Sequence, residues 1–93
     1  MNIKIYFRKN LKMSPQKLAA QVGHVAKELG RLAVGTDPKT DVIIVLQASD
    51  KKFNEIRDFF SAEEQETLHY LQVDLGLTEV PAGTETCFGY IDK

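Results

Sequence analysis

Lys17 occupies a position that helix electrostatics disfavour. In the stretch KMSPQKLAAQVGH, residues 12–24, Ser14 is suited to cap a helix and Pro15 to open it, since proline lacks the N–H that would be unpaired there. Lys17 then falls on the third helical position, where a capping box would place Glu or Gln. The N–H groups of that end already carry about half a positive charge, so a lysine costs roughly a few tenths of a kcal/mol. An anion, or a carbonyl oxygen gaining charge, would meet the dipole, backbone donors and the ammonium together. A lysine extending from an exposed first turn is the plain structural alternative.

A second segment, DLGLTEVPAGTET, residues 74–86, supplies complementary groups. Asp74 closes a strand and enters a loop in which Gly76 and Gly83 let backbone approach a ligand and Thr78, Thr84 and Thr86 offer hydroxyls. An ordinary loop tied by Thr and Asp side chains would have the same composition. In open α/β sheets ligands favour the carboxyl ends of strands, where both Asp74 and the Lys17 helix end should lie.

The elements that must hold these groups follow from periodicity. NIKIYF, residues 2–7, alternates as a first strand, and the helix opened by Pro15 runs to about Gly30 or slightly beyond. Its core arc carries Leu18, Val22, Val25, Leu29 and Leu32, and Lys17, Gln21, His24 and Glu28 form a polar stripe along one edge. DVIIVLQ, residues 41–47, is a continuous apolar run, expected to be a strand covered on both faces. The strand, helix, strand order implies a right-handed parallel crossover. SDKKFNEIRDFF predicts a second helix capped by Ser49 or Asp50, with Phe53, Ile56 and Phe60 inward and its end within SAEEQE. LHYLQVD and TCFGYID predict the last two strands. His69 and Tyr70 alternate to opposite faces and read as structural.

Composition bounds the rest. Ninety-three residues, 43% hydrophobic, make a single domain over residues 1–93. The apolar runs are far too short to span a membrane, the N-terminus has no cleavage-site pattern, and one cysteine, Cys87, suits a core position in a reducing compartment; a cytosolic protein is expected. Residues 1–31 carry seven basic groups and one acid, while the remaining 62 carry five basic and twelve acidic groups. The basic end, with Arg8, Lys9 and Lys12, could meet phosphate, or it is a solvated face.

RKNLKMSPQKLAAQVGH resembles the first motif of the archaeal and eukaryotic type of peptidyl-tRNA hydrolase (type 2), approximately R-x-D-L-K-M-x-x-G-K-x-A-A-Q-x-x-H. DLGLTEVPAGTET resembles the second, approximately D-A-G-x-T-x-x-x-x-G-T-x-T. Arg8, Leu11, Met13, Lys17, Ala19, Ala20, Gln21 and His24 match the first; Asp74, Gly76, Thr78, Gly83, Thr84 and Thr86 match the second. The chain departs from the pattern at Asn10, at Ser14, Pro15 and Gln16, at Leu75 and at Glu79, and its connection after the first helix is too short for the family's additional helix.

The resemblance implies a three-layer α/β/α fold with a four-stranded mixed sheet whose last strand is antiparallel to the others. It also implies hydrolysis, without a metal or cofactor, of the ester joining a peptide to tRNA. Lys17, Asp74, Thr78 and Thr86 are then the expected catalytic set, with Arg8, Lys9, Lys12, Gln21, His24, Gly76, Gly83 and Thr84 contacting substrate. Asp74 either acts on the water or pairs with Lys17 to orient the loop. The expected partner is tRNA, and a homodimer is compatible with the family. A catalytically silent relative binding tRNA or a protein, and an anion-binding module, are the alternatives.

Overall fold

Alternation in the first strand, β1 (Asn2–Arg8), divides the core into two layers. A computed structural model describes residues 1–33, 39–62, 67–76 and 80–92. Ile3, Ile5 and Phe7 pack with Val25 and Leu29 of the first helix, α1 (Pro15–Leu32). On the other face Tyr6 packs against a cluster containing Phe53 of the second helix, α2 (Asp50–Ser61). The three remaining strands, β2 (Val42–Ala48), β3 (His69–Val73) and β4 (Glu85–Asp92), complete a sheet of order β2-β1-β4-β3. β1 and β2 are parallel, and β4 runs antiparallel to both β1 and β3. The architecture is therefore the expected three-layer α/β/α with a four-stranded mixed sheet.

Both helices begin as their caps dictate. Ser14 Oγ accepts the Lys17 N–H at 3.1 Å, and Ser49, rather than Asp50, caps α2 by accepting the Lys52 N–H at 3.2 Å. Both helix N-termini lie at the carboxyl ends of the parallel strands, as a right-handed crossover requires. On α1, Val25 and Leu29 are fully buried and Leu18 and Val22 pack beside them, while Leu32 is exposed. α2 ends at Ser61, and residues 63–66 of the SAEEQE stretch lie outside the described residues. Cys87 is buried as expected, and burial pushes its thiol up to about 11.

Two features differ from expectation. The apolar run of β2 is not covered on both faces: Val42, Ile43, Val45 and Leu46 are each at least 40% exposed. The crossover returns β2 to the outside of β1, so it is an edge strand, and a run of Val, Ile and Leu carries no signal that separates an edge from a centre. The second feature is a β-bulge. Gln72 pairs with Cys87 but the next residue, Val73, pairs with Glu85, leaving Thr86 as the extra residue. Strict alternation from Cys87 would send Thr86 toward α2 and Glu85 toward α1. The bulge exchanges them.

Candidate active site

Lys17 and Asp74 form the centre of the site. Lys17 Nζ lies 2.6 Å from Asp74 Oδ2, and the side chains are only 11% and 3% exposed. Gln21, one turn along α1 from Lys17 and itself buried, donates from Nε2 to the same Oδ2 at 3.0 Å. The Gly76 N–H donates to Oδ1 at 2.6 Å. The Lys17 ammonium, followed by the Gly76 amide and the Gln21 amide, holds the Asp74 carboxyl below the usual carboxylate range against the opposing effect of burial. The carboxylate is thus ionised and a weak base, better suited to accepting hydrogen bonds than to removing a proton.

The bulge connects this centre to β4. Thr86 Oγ donates to Gln21 Oε1 at 2.8 Å, so Gln21 spends its carbonyl on Thr86 and its amide on Asp74. Thr86 is fully buried and reaches Asp74 only through Gln21. The loop is closed by backbone: Asp74 N–H donates to Thr84 O at 2.9 Å and Gly83 N–H to Asp74 O at 2.8 Å. Thr84 Oγ donates to Pro81 O at 2.7 Å. Gly76 has φ +76°, and a Cβ there would stand 2.6 Å from the Ala82 nitrogen, so only glycine brings its N–H to the carboxylate without a clash.

The helix end contributes less through its amides than through its charge. Pro15 has no N–H, the Lys17 N–H goes to Ser14 Oγ and the Leu18 N–H to Ser14 O. Lys17 is therefore the principal positive group at this end of α1, and Asp74 balances the charge that local helix electrostatics disfavour.

Other residues singled out in the sequence fall elsewhere. Arg8 lies on the α2 side of the sheet, 15% exposed, with its guanidinium donating to Glu85 O, Asp50, Asn54 and the Glu85 carboxylate and stacked 4.2 Å from the Phe53 ring centroid. Arg57 also pairs with Glu85. Asn10, where the motif has Asp, donates to Asp50 Oδ2 at 3.2 Å; an aspartate at this position would confront that carboxylate instead. Lys9 and Lys12 are exposed near the carboxyl end of β1, and His24 is exposed on α1 one turn beyond Gln21. Thr78 and Glu79 lie outside the described residues. Among the described residues no three of His, Cys, Asp and Glu come together as a metal-ligand set.

Gln21 ties α1 to the loop that begins at Asp74, as its place on the polar stripe suggests, whereas its second bond to Thr86 and the cluster around Arg8 have no such signal in the sequence. The 4-residue spacing of Lys17 and Gln21 signals a shared helix face, but nothing local announces that Asp50, Asn54, Arg57 and Glu85 converge on Arg8. No curated protein matches the chain. A family model described as Peptidyl-tRNA hydrolase PTH2 matches residues 1–91, nearly the whole chain and both halves of the Lys17–Asp74 site, and the protein belongs to that family.

Proposed function

We propose that this protein is a metal-independent hydrolase acting in the cytoplasm on the ester bond of peptidyl-tRNA, releasing peptide and free tRNA. The observation that carries this reading is the Lys17 ammonium, held at 2.6 Å by an ionised, nearly buried Asp74 within a chain that matches the PTH2 family over residues 1–91. Water adds to the ester carbonyl, the bond to the ribose oxygen breaks, and the proton lost by the water ends on that oxygen. Lys17 stabilises the carbonyl oxygen as it gains charge, or holds the terminal phosphate. Asp74 fixes Lys17 and accepts a hydrogen bond from the attacking water, orienting it. Thr86 acts through Gln21 as a positioning residue, and the Thr78 hydroxyl positions water or ribose.

Substrate contact is assigned to Lys9, Lys12 and His24 on the exposed surface, with Gly76, Gly83 and Thr84 shaping the loop that receives the acylated end. Arg8 supports this surface from below by fixing the end of β1 to α2 and β4. Phosphate contacts of this kind bind without sequence preference and weaken with salt.

The three donors already held by Asp74 and the burial of Thr86 favour a second reading, a catalytically silent relative that retains tRNA. Single-turnover assay of N-acetyl-aminoacyl-tRNA with wild type and Asp74→Asn separates the two. Release of acyl amino acid by wild type, lost in a folded Asp74→Asn protein, supports the enzyme; retention of intact substrate by wild type supports the binder.

A further inference from the structure

We infer that Glu85, gripped by Arg8 and Arg57 on the α2 side of the sheet, sets the register that delivers Thr86 to the Lys17–Asp74 centre on the α1 side, and is thereby a positioning residue for that centre. Its effect on turnover rests on the proposed hydrolase activity; its effect on the geometry of the centre does not. Neither Arg57 nor Glu85 is a matching position of the two sequence motifs.

The grip takes hold of both side chain and backbone. Arg8 Nη2 donates to Glu85 Oε1 at 3.3 Å, and Arg57 Nη1 donates to the same oxygen. Arg8 Nε donates in addition to the main-chain oxygen of Glu85 at 2.9 Å, so one guanidinium fixes the residue at two points. Both arginines are themselves anchored, Arg8 by Asp50, Asn54 and the Phe53 ring and Arg57 by Asp58. None of the three side chains is more than 30% exposed, so salt screens their pairing only in part.

The bulge needs such a hold. It interrupts the ladder between β3 and β4, and plain alternation would be the regular way to pair the same residues. A slip of one residue exchanges the faces of a strand, so that alternative turns Thr86 toward α2 and Glu85 toward α1. Charge opposes it on both sides of the sheet. Glu85 would bring a carboxylate to the face that already holds Asp74, and Arg8 and Arg57 would lose the oxygen they share. In the observed register the two cations hold Glu85, and the adjacent Thr86 Oγ donates to Gln21 Oε1 at 2.8 Å while Gln21 Nε2 donates to Asp74 Oδ2 at 3.0 Å. The ion pair of the site is thus aligned through a contact on the opposite face.

Glu85→Ala, Thr86→Val and Asn54→Ala, each checked for folding by circular dichroism, test the inference by two readouts: the Gln21 side-chain amide in proton–nitrogen correlation spectra, and steady-state turnover of N-acetyl-aminoacyl-tRNA. Glu85→Ala should shift the Gln21 amide and lower kcat about 10–100-fold with KM little changed, the loss that a small misplacement of a reacting group brings. Thr86→Val should do the same, and the double variant should be no slower than the slower single one, because both act through one hydroxyl. Asn54→Ala, which takes a bond from Arg8 but leaves Glu85 in place, should leave both readouts at their wild-type values. Should Glu85→Ala fail to fold, Glu85→Ala combined with Arg57→Ala removes the excess positive charge and takes its place. A folded Glu85→Ala protein with the wild-type Gln21 amide, or kcat losses that multiply in the double variant, would overturn the inference. A wild type without turnover would refute the hydrolase reading alone, and the Gln21 amide would still decide for or against the role of Glu85.

Discussion

Lys17 and Asp74, 57 positions apart in the chain, meet at 2.6 Å because the carboxyl end of β3 and the amino end of α1 lie at the same end of the sheet. The ion pair is shielded: the Asp74 side chain is almost covered and the Lys17 side chain slightly less so. That asymmetry supports the proposal that Lys17 meets the substrate while Asp74 holds Lys17 in place.

Gln21 is the joint between the ion pair and β4, so its removal should affect more than its own contacts. Gln21→Ala removes the 2.8 Å acceptor of Thr86 Oγ, leaving its longer 3.4 Å bond to Gln72 O, and takes one donor from Asp74 Oδ2, and should lower stability by about 1–3 kcal/mol. Gln21→Glu preserves an acceptor for Thr86 but sets a carboxylate against Asp74 Oδ2. Its stability should recover as pH falls through the range where the two carboxylates share a proton, a trend opposite to that of the wild type. Urea denaturation at several pH values measures both.

For the wild type the sign runs the other way. Asp74, held below its ordinary value by Lys17 and then by the Gly76 amide, contributes stability that is fully present above the unfolded-state value of about 4 and is lost as pH falls through its lower folded value. Asp50, lowered by Asn10 and Arg8, adds in the same direction, but its exposed side chain makes that part sensitive to salt. Denaturation midpoints should be level from about pH 7 to 5 and fall below about pH 4; Asp74→Asn should flatten the acid limb.

Gly76→Ala tests the backbone geometry of the loop. The positive φ and the 2.6 Å approach to the Ala82 nitrogen both oppose a side chain, so the substitution should cost about 1–3 kcal/mol. The displaced N–H releases Asp74 Oδ1, and turnover should fall together with melting temperature. A variant that melts like wild type and retains full turnover would show that this contact is dispensable.

Arg8 and the neighbouring lysines should separate by type of measurement. Arg8→Ala removes contacts to Asp50, Asn54 and Glu85 and should destabilise by about 1–3 kcal/mol. Lys9→Ala and Lys12→Ala should leave stability within about 0.5 kcal/mol of wild type. Each should weaken tRNA binding and reduce its salt slope by about 1. Filter binding over a salt series, paired with thermal melts, distinguishes a structural arginine from phosphate-contacting lysines.

Much of this arrangement is legible in the residues, and the failures have identifiable causes. Ser14 and Pro15 define the start of α1 through local chemistry, and the alternation of Ile3, Ile5 and Phe7 defines the α1 face of β1, because both signals lie within a few residues. The edge position of β2 is a property of strand order, and its apolar run reads the same at an edge as in a centre. The bulge at Thr86 is a slip of one residue that leaves no mark in composition, yet it turns Thr86 toward Gln21 and Glu85 toward Arg8. The intramolecular partners of Arg8 are not legible in its basic stretch, because they stand 42 or more positions away.

The most direct test of the account is single-turnover hydrolysis of N-acetyl-aminoacyl-tRNA by wild type beside a Lys17→Ala protein shown by circular dichroism to be folded. Wild type should release the acyl amino acid, and Lys17→Ala should do so about 10²–10³-fold more slowly, as expected for loss of one group that stabilises a developing oxyanion. Intact substrate with the wild type, under conditions where a control hydrolase consumes it, would contradict the assignment and leave a tRNA-binding protein built on a hydrolase fold.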